Sequence, residues 1–146
     1  MSKGKMTRRE EREQAFILVF QQLINRVTIS DIIDAAEESA EVRVAEFAEQ
    51  LALGVQENNA LIDDKIEKNI RGWSMSRLSK VSFALLRVAI YEILFVDSIP
   101  VSVSINEAVD LAKKYGGADD APFINGVLGS VAKELEPKEE QKNEEQ

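Results

Sequence analysis

Apolar residues recur along most of the chain at the spacing of helical faces. Between Ala15 and Leu23 they stand at positions i, i+1, i+4, i+5 and i+8, the pattern of one side of an α-helix. Alternation of apolar and polar residues over a useful length is confined to Val101–Ile105. Because Pro100 precedes this segment, we interpret it as the first turns of a helix. The sequence therefore predicts an all-α fold, a single compact domain of about seven helices.

Local signals predict where the first helices begin. Thr7 and Glu10 have the spacing of a capping box, so the first helix is expected to start there. Ser30 is the predicted N-cap of the second helix. A third helix is expected from about Val42, and the pair Asn58–Asn59 is expected to separate it from the fourth.

The second half of the chain predicts three more helices. The fifth, expected over Ser76–Val96, is apolar on nearly every side, which favours a position at the centre of the fold. The sixth follows Pro100 and is expected to end at Gly116. The seventh is expected to begin at Asp119 and to end at Pro137.

Composition narrows the classes of function. The chain has 146 residues, with no cysteine and no histidine, so disulfides and the commonest general base and metal ligand are absent. Carboxylates are adjacent at Asp63–Asp64 and Asp119–Asp120, but neighbours on a helix face different ways and chelate Mg²⁺ poorly. We predict no catalytic residue, no cofactor and no metal. No apolar run is long enough to span a membrane and no signal peptide is evident, which favours the cytoplasm.

Charge is distributed unevenly. The net charge is −8, which by itself argues against a nucleic-acid partner. The first twelve residues nevertheless hold five basic side chains against two acidic ones, whereas the chain from Glu134 onward holds six glutamates against two lysines. With Thr7 as cap, Arg8, Arg9 and Arg12 are predicted on one side of a helix N-terminus, where guanidinium and N–H groups attract phosphate.

A second interpretation of these arginines stays open. They can simply pair with acidic neighbours, which are Glu10, Glu11 and Glu13.

Polar residues within the apolar fifth helix predict a buried network. Arg87 and Tyr91 stand one turn apart and Glu92 faces elsewhere. Since a buried charge must be paired, partners are expected on neighbouring helices, with Asn106 and Glu107 as candidates. We interpret all five residues as structural.

Asn125–Gly126 falls inside the last predicted helix. Glycine in a helix interior costs about 1 kcal/mol relative to alanine, so a close helix approach or a contact surface is expected there.

Three phrases, in this order and spacing, resemble the NusB family of bacterial transcription antitermination factors. They are Leu86–Glu92, Ile105–Lys113 and Phe123–Leu128. Weaker matches are Arg12–Ala15, Leu53–Val55 and Leu61–Asp63. The resemblance extends from about Arg8 to Leu135 and implies two packed helical subdomains.

The resemblance also implies a non-enzymatic RNA-binding adaptor. NusB proteins pair with NusE, a protein of the small ribosomal subunit. The pair binds boxA RNA in nascent rRNA transcripts and joins other factors on RNA polymerase to suppress termination. The family's RNA contacts fall here on six positions, which are Arg8, Arg9, Arg12, Phe20, Phe123 and Asn125. The NusE-facing surface is placed loosely around Lys80 and Ser82.

Two features depart from the family pattern. Glu10 and Glu11 dilute the basic segment, and Phe20 stands where a tyrosine is usual, so it can stack but lacks the hydroxyl. We therefore expect weak RNA binding by the protein alone.

The expected organisation has three parts. Residues 1–6 form a flexible basic arm, residues 7–136 a NusB-like helical RNA-binding domain, and residues 137–146 a disordered acidic tail. Two alternatives are an RNA-binding domain related to rRNA methyltransferases and a purely protein-binding helical module. The first requires a catalytic domain after the helices, where this chain has a polar tail. Whether the free protein forms a homodimer is left open.

Overall fold

Seven α-helices account for the fold of the described residues. The computed structural model describes residues 6–39, 43–72 and 74–145, and side chains as far as residue 135. The helices, in chain order, are α1 (Arg8–Asn25), α2 (Ile29–Glu38), α3 (Glu46–Glu57), α4 (Asn59–Asn69), α5 (Lys80–Phe95), α6 (Val101–Tyr115) and α7 (Asp120–Glu145). A 3₁₀ turn over Met75–Arg77 precedes α5, and no strand occurs in these ranges. The predicted all-α fold of about seven helices is confirmed.

Helix α5 lies at the centre, as predicted. It packs against α1, α3, α4, α6 and α7. Leu85, Leu86 and Ile90 are at most 1% exposed, so the apolar face that continues around this helix is buried by neighbours on several sides. Helices α1, α2 and α3 pack on one another, and α6 and α7 pack together as a second group. Helix α5 contacts both groups and joins them.

The start of α1 agrees with its sequence signal. Thr7 Oγ1 accepts a hydrogen bond from the Glu10 N–H at 3.1 Å, and the Thr7 N–H donates to Glu10 Oε1 at 2.9 Å. This capping box satisfies two backbone N–H groups at the helix end. It also lowers the pKa of Glu10, because the backbone N–H of Thr7 stabilises the carboxylate.

Two predicted helix starts are wrong. Helix α2 is capped by Thr28, whose Oγ1 accepts from the Asp31 N–H, and not by Ser30. The earlier start places Ile29 in the first turn, where it is fully buried. Helix α5 begins after its N-cap Ser79 and not at Ser76, because residues 75–77 form the separate 3₁₀ turn.

Helix α7 extends to Glu145, beyond the end predicted at Pro137. Proline removes one helical N–H, but the glutamates, lysines and glutamines around it favour helix, so the backbone continues.

Three positions with sequence-based expectations lie outside the described residues. They are residues 1–5 of the predicted arm, the predicted helix start at Val42, and Trp73. The division into arm, domain and tail stays a prediction.

Within the described ranges, no single helix combines the length and apolarity needed to cross a membrane. Helices α1 and α2 meet the criterion only as a pair, and they are bent by 112° relative to each other.

Candidate nucleic-acid interface

Two exposed arginines lie at the N-terminal end of α1. The Arg8 side chain is 58% exposed, its Nη1 lies 3.5 Å from Glu11 Oε1, and its Cζ lies 3.8 Å from the centroid of the Phe47 ring. The Arg9 side chain is 63% exposed. Both stand beside the positive end of the helix, which adds to their attraction for an anion.

Arg9 is held by two carboxylates of α6. Its Nε and Nη2 donate to Glu107 Oε2 at 3.0 and 2.5 Å, and Nη2 also donates to Asp110 Oδ2 at 2.8 Å. The pKa of Arg9 is raised, chiefly by the hydrogen bond to Glu107. The alternative prediction is that these arginines pair with Glu10, Glu11 and Glu13. Among the described residues, one such pair is found, between Arg8 and Glu11.

Arg12 lies elsewhere than predicted. Only 4% of its side chain is exposed, and it donates from Nε to Glu92 Oε2 at 2.6 Å and from Nη1 to Glu107 Oε1 at 3.1 Å. The helical period explains this, because Arg12 shares a face with Ala15, Phe16 and Val19, all of them buried. The prediction that Arg12 joins Arg8 and Arg9 on one exposed side is therefore wrong.

The buried network around Glu92 links three helices. Glu92 is 0% exposed and accepts from Arg12 of α1 and from Ser104 Oγ of α6, the latter at 2.9 Å. Glu107, whose side chain is 13% exposed, takes the other side of Arg12. The structural interpretation of Glu92 and Glu107 agrees with this geometry.

The predicted partners of Arg87 are wrong. Arg87 donates from Nε and Nη2 to the two oxygens of Asp63 in α4, at 3.0 and 2.8 Å, and lies over the Phe83 ring. Asn106 is exposed and does not belong to the network. Tyr91 is half-buried, and its ring occupies the space where a side chain at Gly54 would lie. The sequence predicted that charged side chains of α5 are buried, but the helix that supplies their partners is determined by tertiary packing.

Next to Arg9, Lys114 forms another cation–carboxylate pair between α6 and α1. Lys114 Nζ donates to Glu13 Oε2 at 2.6 Å, and the Tyr115 hydroxyl donates to the same oxygen. Burial alone would raise the pKa of Glu13, but the hydrogen bonds from Lys114 and Tyr115 outweigh it and lower that pKa. Arg9, Lys114 and Arg8 are thus each paired with carboxylates in the free protein.

Phe20 is distant from the exposed arginines. Twelve residues along α1 separate it from Arg8, a rise of about 18 Å. Phe20 is half-buried and its ring centroid lies 5.9 Å from that of Phe16.

Phe123 and Asn125 line a groove of about 560 Å³ between the end of α4 and the start of α7. Two basic residues that the sequence analysis missed, Arg71 and Lys133, line it as well. Both are exposed, as are Asn125 and Gly126. A Cβ at Gly126 would meet nothing within 4 Å, so the contact-surface interpretation of this glycine fits and the close-approach interpretation is wrong.

Ser82 is structural rather than a surface contact. It is 1% exposed, and its Oγ donates to Asp120 Oδ1 at 2.7 Å. Ser79 Oγ and the Gly117 N–H also donate to Asp120. Burial alone would raise the pKa of Asp120, but these three hydrogen bonds outweigh it and lower the pKa. The placement of Ser82 on a partner surface is wrong, whereas Lys80 is exposed.

The two sets of predicted RNA contacts lie apart. Arg12 reaches α5 at Glu92 and Asp120 reaches it at Ser82, and these two α5 residues are separated by a rise of about 15 Å. Among the described residues, no group of three or more acidic side chains is placed to hold a metal ion.

Comparison with known proteins identifies relatives over almost the whole chain. Residues 9–133 match the model of the NusB family. A transcription antitermination protein NusB from Ruminiclostridium cellulolyticum is 43% identical over 141 residues, which are 95% of this chain and 97% of that protein.

Solved structures match over a similar extent. T. maritima NusB superposes with a TM-score of 0.81 and 37% identity, covering 94% of this chain and 99% of that one. A chain in the crystal structure of antitermination factors NusB and NusE in complex with double-stranded RNA superposes with a TM-score of 0.75 and 26% identity. That match covers 88% of this chain and 98% of the other.

Proposed function

Because the chain belongs to the NusB family, we propose that it is a transcription antitermination factor that binds RNA as an adaptor and performs no catalysis. The near-complete coverage of relatives that carry this name supports the proposal. It is also supported by likeness to a chain from a complex of NusB, NusE and double-stranded RNA.

The observation that carries RNA binding is the pair of exposed arginines at the N-terminal end of α1. Arg8 and Arg9 expose more than half of their side chains beside the positive end of a helix dipole. Arginine presents a planar fork that matches phosphate and stacks on bases. The buried Arg12 holds the start of α1 in place through its ion pairs with Glu92 of α5 and Glu107 of α6.

A second contact is proposed at the groove of Phe123 and Asn125. The amide of Asn125 can hydrogen-bond base edges, and Arg71 and Lys133 supply positive charge for phosphates. The exposed Gly126 leaves room for a strand to approach the helix backbone. Phe20 stays a predicted contact outside both surfaces.

The proposed partners are NusE, boxA RNA of nascent rRNA transcripts and the antitermination complex on RNA polymerase. The proposed location that goes with these partners is the cytoplasm. Lys80 is exposed at the start of α5 and is retained as a proposed NusE contact. Ser82 is not, because it is enclosed with Asp120.

Charge reversal at the α1 end tests the RNA surface. In the variant Arg8→Glu/Arg9→Glu, the affinity for boxA RNA in the presence of NusE should fall by tenfold or more, because two phosphate contacts become repulsive. The fold should persist, since exposed ion pairs contribute little to stability. Fluorescence anisotropy of labelled RNA measures the first, and circular dichroism melting the second.

The control is Arg26→Glu/Lys68→Glu, which changes net charge equally at two exposed positions elsewhere. Its affinity should fall far less. Equal losses in the two variants would mean that only net charge matters, and unchanged affinity in the first would remove the α1 end from the RNA surface. In that case, retained binding of NusE without RNA would favour a protein-binding module.

A further inference from the structure

The surface that is proposed to bind phosphate is already occupied by carboxylates of the same chain. Arg9 meets Glu107 and Asp110 of α6 in the absence of RNA. Phosphate and carboxylate are both oxyanions that take the same N–H groups of a guanidinium in a forked arrangement. The Nε and Nη2 of Arg9 therefore cannot serve a phosphate while both carboxylates keep these contacts.

The two carboxylates differ in how firmly they are fixed. Glu107 is also bound by the buried Arg12, which in turn is held by Glu92. Its oxygens are thus part of the frame that joins α1, α5 and α6. Asp110 is 48% exposed, and Arg9 is the partner that the structure gives it among the described residues. Asp110 can accordingly be changed without loosening the buried network.

Exposed ion pairs of this kind are weak. Arg9 and Asp110 are 63% and 48% exposed, so water competes for the contact between them and this pair can be exchanged for another anion. The contact between an RNA phosphate and Arg9 contributes less binding free energy than a contact with an unpaired arginine, because each new hydrogen bond replaces an existing one.

We propose that Asp110, together with Glu107, sets the RNA affinity of this protein by competing with phosphate for Arg9. The inference rests on the proposed function and adds to it an intramolecular competitor located on α6. It gives a physical reason for the expectation that the protein alone binds RNA weakly, since part of the binding capacity of Arg9 is taken by carboxylates of the same chain.

The test is the affinity of the full chain for a boxA RNA oligonucleotide. The variant Asp110→Asn keeps the size of the side chain and removes its charge. It should bind about twofold to fivefold more tightly than the wild type, the range expected for losing one exposed competing pair. The control Asp64→Asn removes the same charge from an exposed pair with Lys68 in α4 and should change the affinity less.

Removal of Arg9 shows whether Asp110 acts through it. In an Arg9→Gln background, Asp110→Asn should no longer tighten binding. A gain that persists without Arg9, or equal gains from Asp110→Asn and Asp64→Asn, would overturn the inference and leave only a general effect of charge.

The same set of variants separates this inference from the proposed function. If Arg9→Gln weakens binding and Asp110→Asn has no effect, the competition is refuted and the RNA surface stands. If Arg9→Gln binds as the wild type does, Arg9 does not belong to the RNA surface and the competition is refuted, whereas the Arg8→Glu/Arg9→Glu variant still tests the α1 end as a whole.

Discussion

Glu92 and Arg12 form an ion pair from which water is almost excluded, with 0% and 4% of their side chains exposed. Such a pair is stable only because further hydrogen bonds reach both partners, here from Ser104 to Glu92 and from Arg12 to Glu107. The pair of Arg87 with Asp63 is less enclosed, with 10% and 30% exposed. Charge in α5 is therefore buried to two different degrees.

This difference predicts an order of stabilities. Glu92→Ala should lower the free energy of unfolding by about 3–5 kcal/mol, because the buried Arg12 loses its shorter ion pair and keeps only the contact with Glu107. Arg87→Ala should cost about 2 kcal/mol, since Asp63 can regain water and the loss is discounted accordingly. Urea denaturation of both variants gives the two values. A larger loss for Arg87→Ala would show that the α4–α5 pair carries more of the stability.

Asp120 predicts a dependence of stability on pH. Its pKa is lowered in the folded protein, so its charged form is favoured there over the unfolded chain. The resulting stability is complete above the unfolded pKa of about 3.9 and is lost as pH falls through the lower folded pKa. The free energy of unfolding of the wild type should thus fall more steeply than that of Asp120→Asn as the pH is lowered below about 5. Parallel pH profiles would contradict the hydrogen-bonded carboxylate.

At the scale of residues, the sequence predicted charge but not its partners. Arg87 and Glu92 stand out because they interrupt an apolar helix, and this pattern is local. Their partners, Asp63 and Arg12, are 24 and 80 positions away in the chain and come together only by packing. The burial of Arg12 had one local signal, since it follows the period of Ala15, Phe16 and Val19.

Among the elements, helix starts depend on which of several hydroxyls becomes the cap. Thr28 and Ser30 are both hydroxyl residues at the start of an apolar helical pattern, but only a cap at Thr28 buries Ile29 in the first turn of α2. Helix α1 ends at its C-cap Arg26, which has a φ of 57° and stands two residues before Thr28. Local propensity predicted a helix here, and tertiary burial decided its first residue.

The two hydroxyls can be distinguished by alanine substitution. Thr28→Ala should lower the free energy of unfolding by about 1 kcal/mol, the usual loss of an N-cap. Ser30→Ala should have a smaller effect, because the exposed Ser30 lies within the first turn. Thermal unfolding of both variants measures the difference, and the reverse order would return the cap to Ser30.

Gly54 and Gly126 both lie inside helices, but their surroundings differ. At Gly54 of α3 a Cβ would overlap the ring of Tyr91, so glycine permits the close approach of α3 and α5. At Gly126 of α7 nothing lies within 4 Å of a Cβ. The sequence alone assigns both a cost, and only the neighbours show which one is needed for packing.

Alanine at the two glycines should therefore act in opposite directions. Gly126→Ala should raise the free energy of unfolding by about 0.5–1 kcal/mol through helix propensity. Gly54→Ala should lower it, and Tyr91→Leu in the same chain should restore part of the loss. Calorimetry checks the sign at each site. Destabilisation by Gly126→Ala would indicate a contact at that position, contrary to the open surface described.

For the whole molecule, overall charge and local charge lead to different expectations. The chain has a net charge of −8, yet two exposed arginines share the N-terminal end of α1. Acidic side chains surround them and hold them, so the protein is expected to bind RNA only where several contacts add together. This expectation links the ion pairs of α1 and α6 to the need for a partner.

An antitermination adaptor of the proposed kind binds boxA RNA selectively, and NusE increases that selectivity. The most direct measurement compares the affinities for boxA RNA and for a scrambled RNA of equal length, with and without NusE, at two salt concentrations. We expect boxA RNA to bind more tightly than the scrambled RNA, NusE to increase that difference, and higher salt to weaken both interactions. Equal affinities for the two RNAs in the presence of NusE would contradict the account.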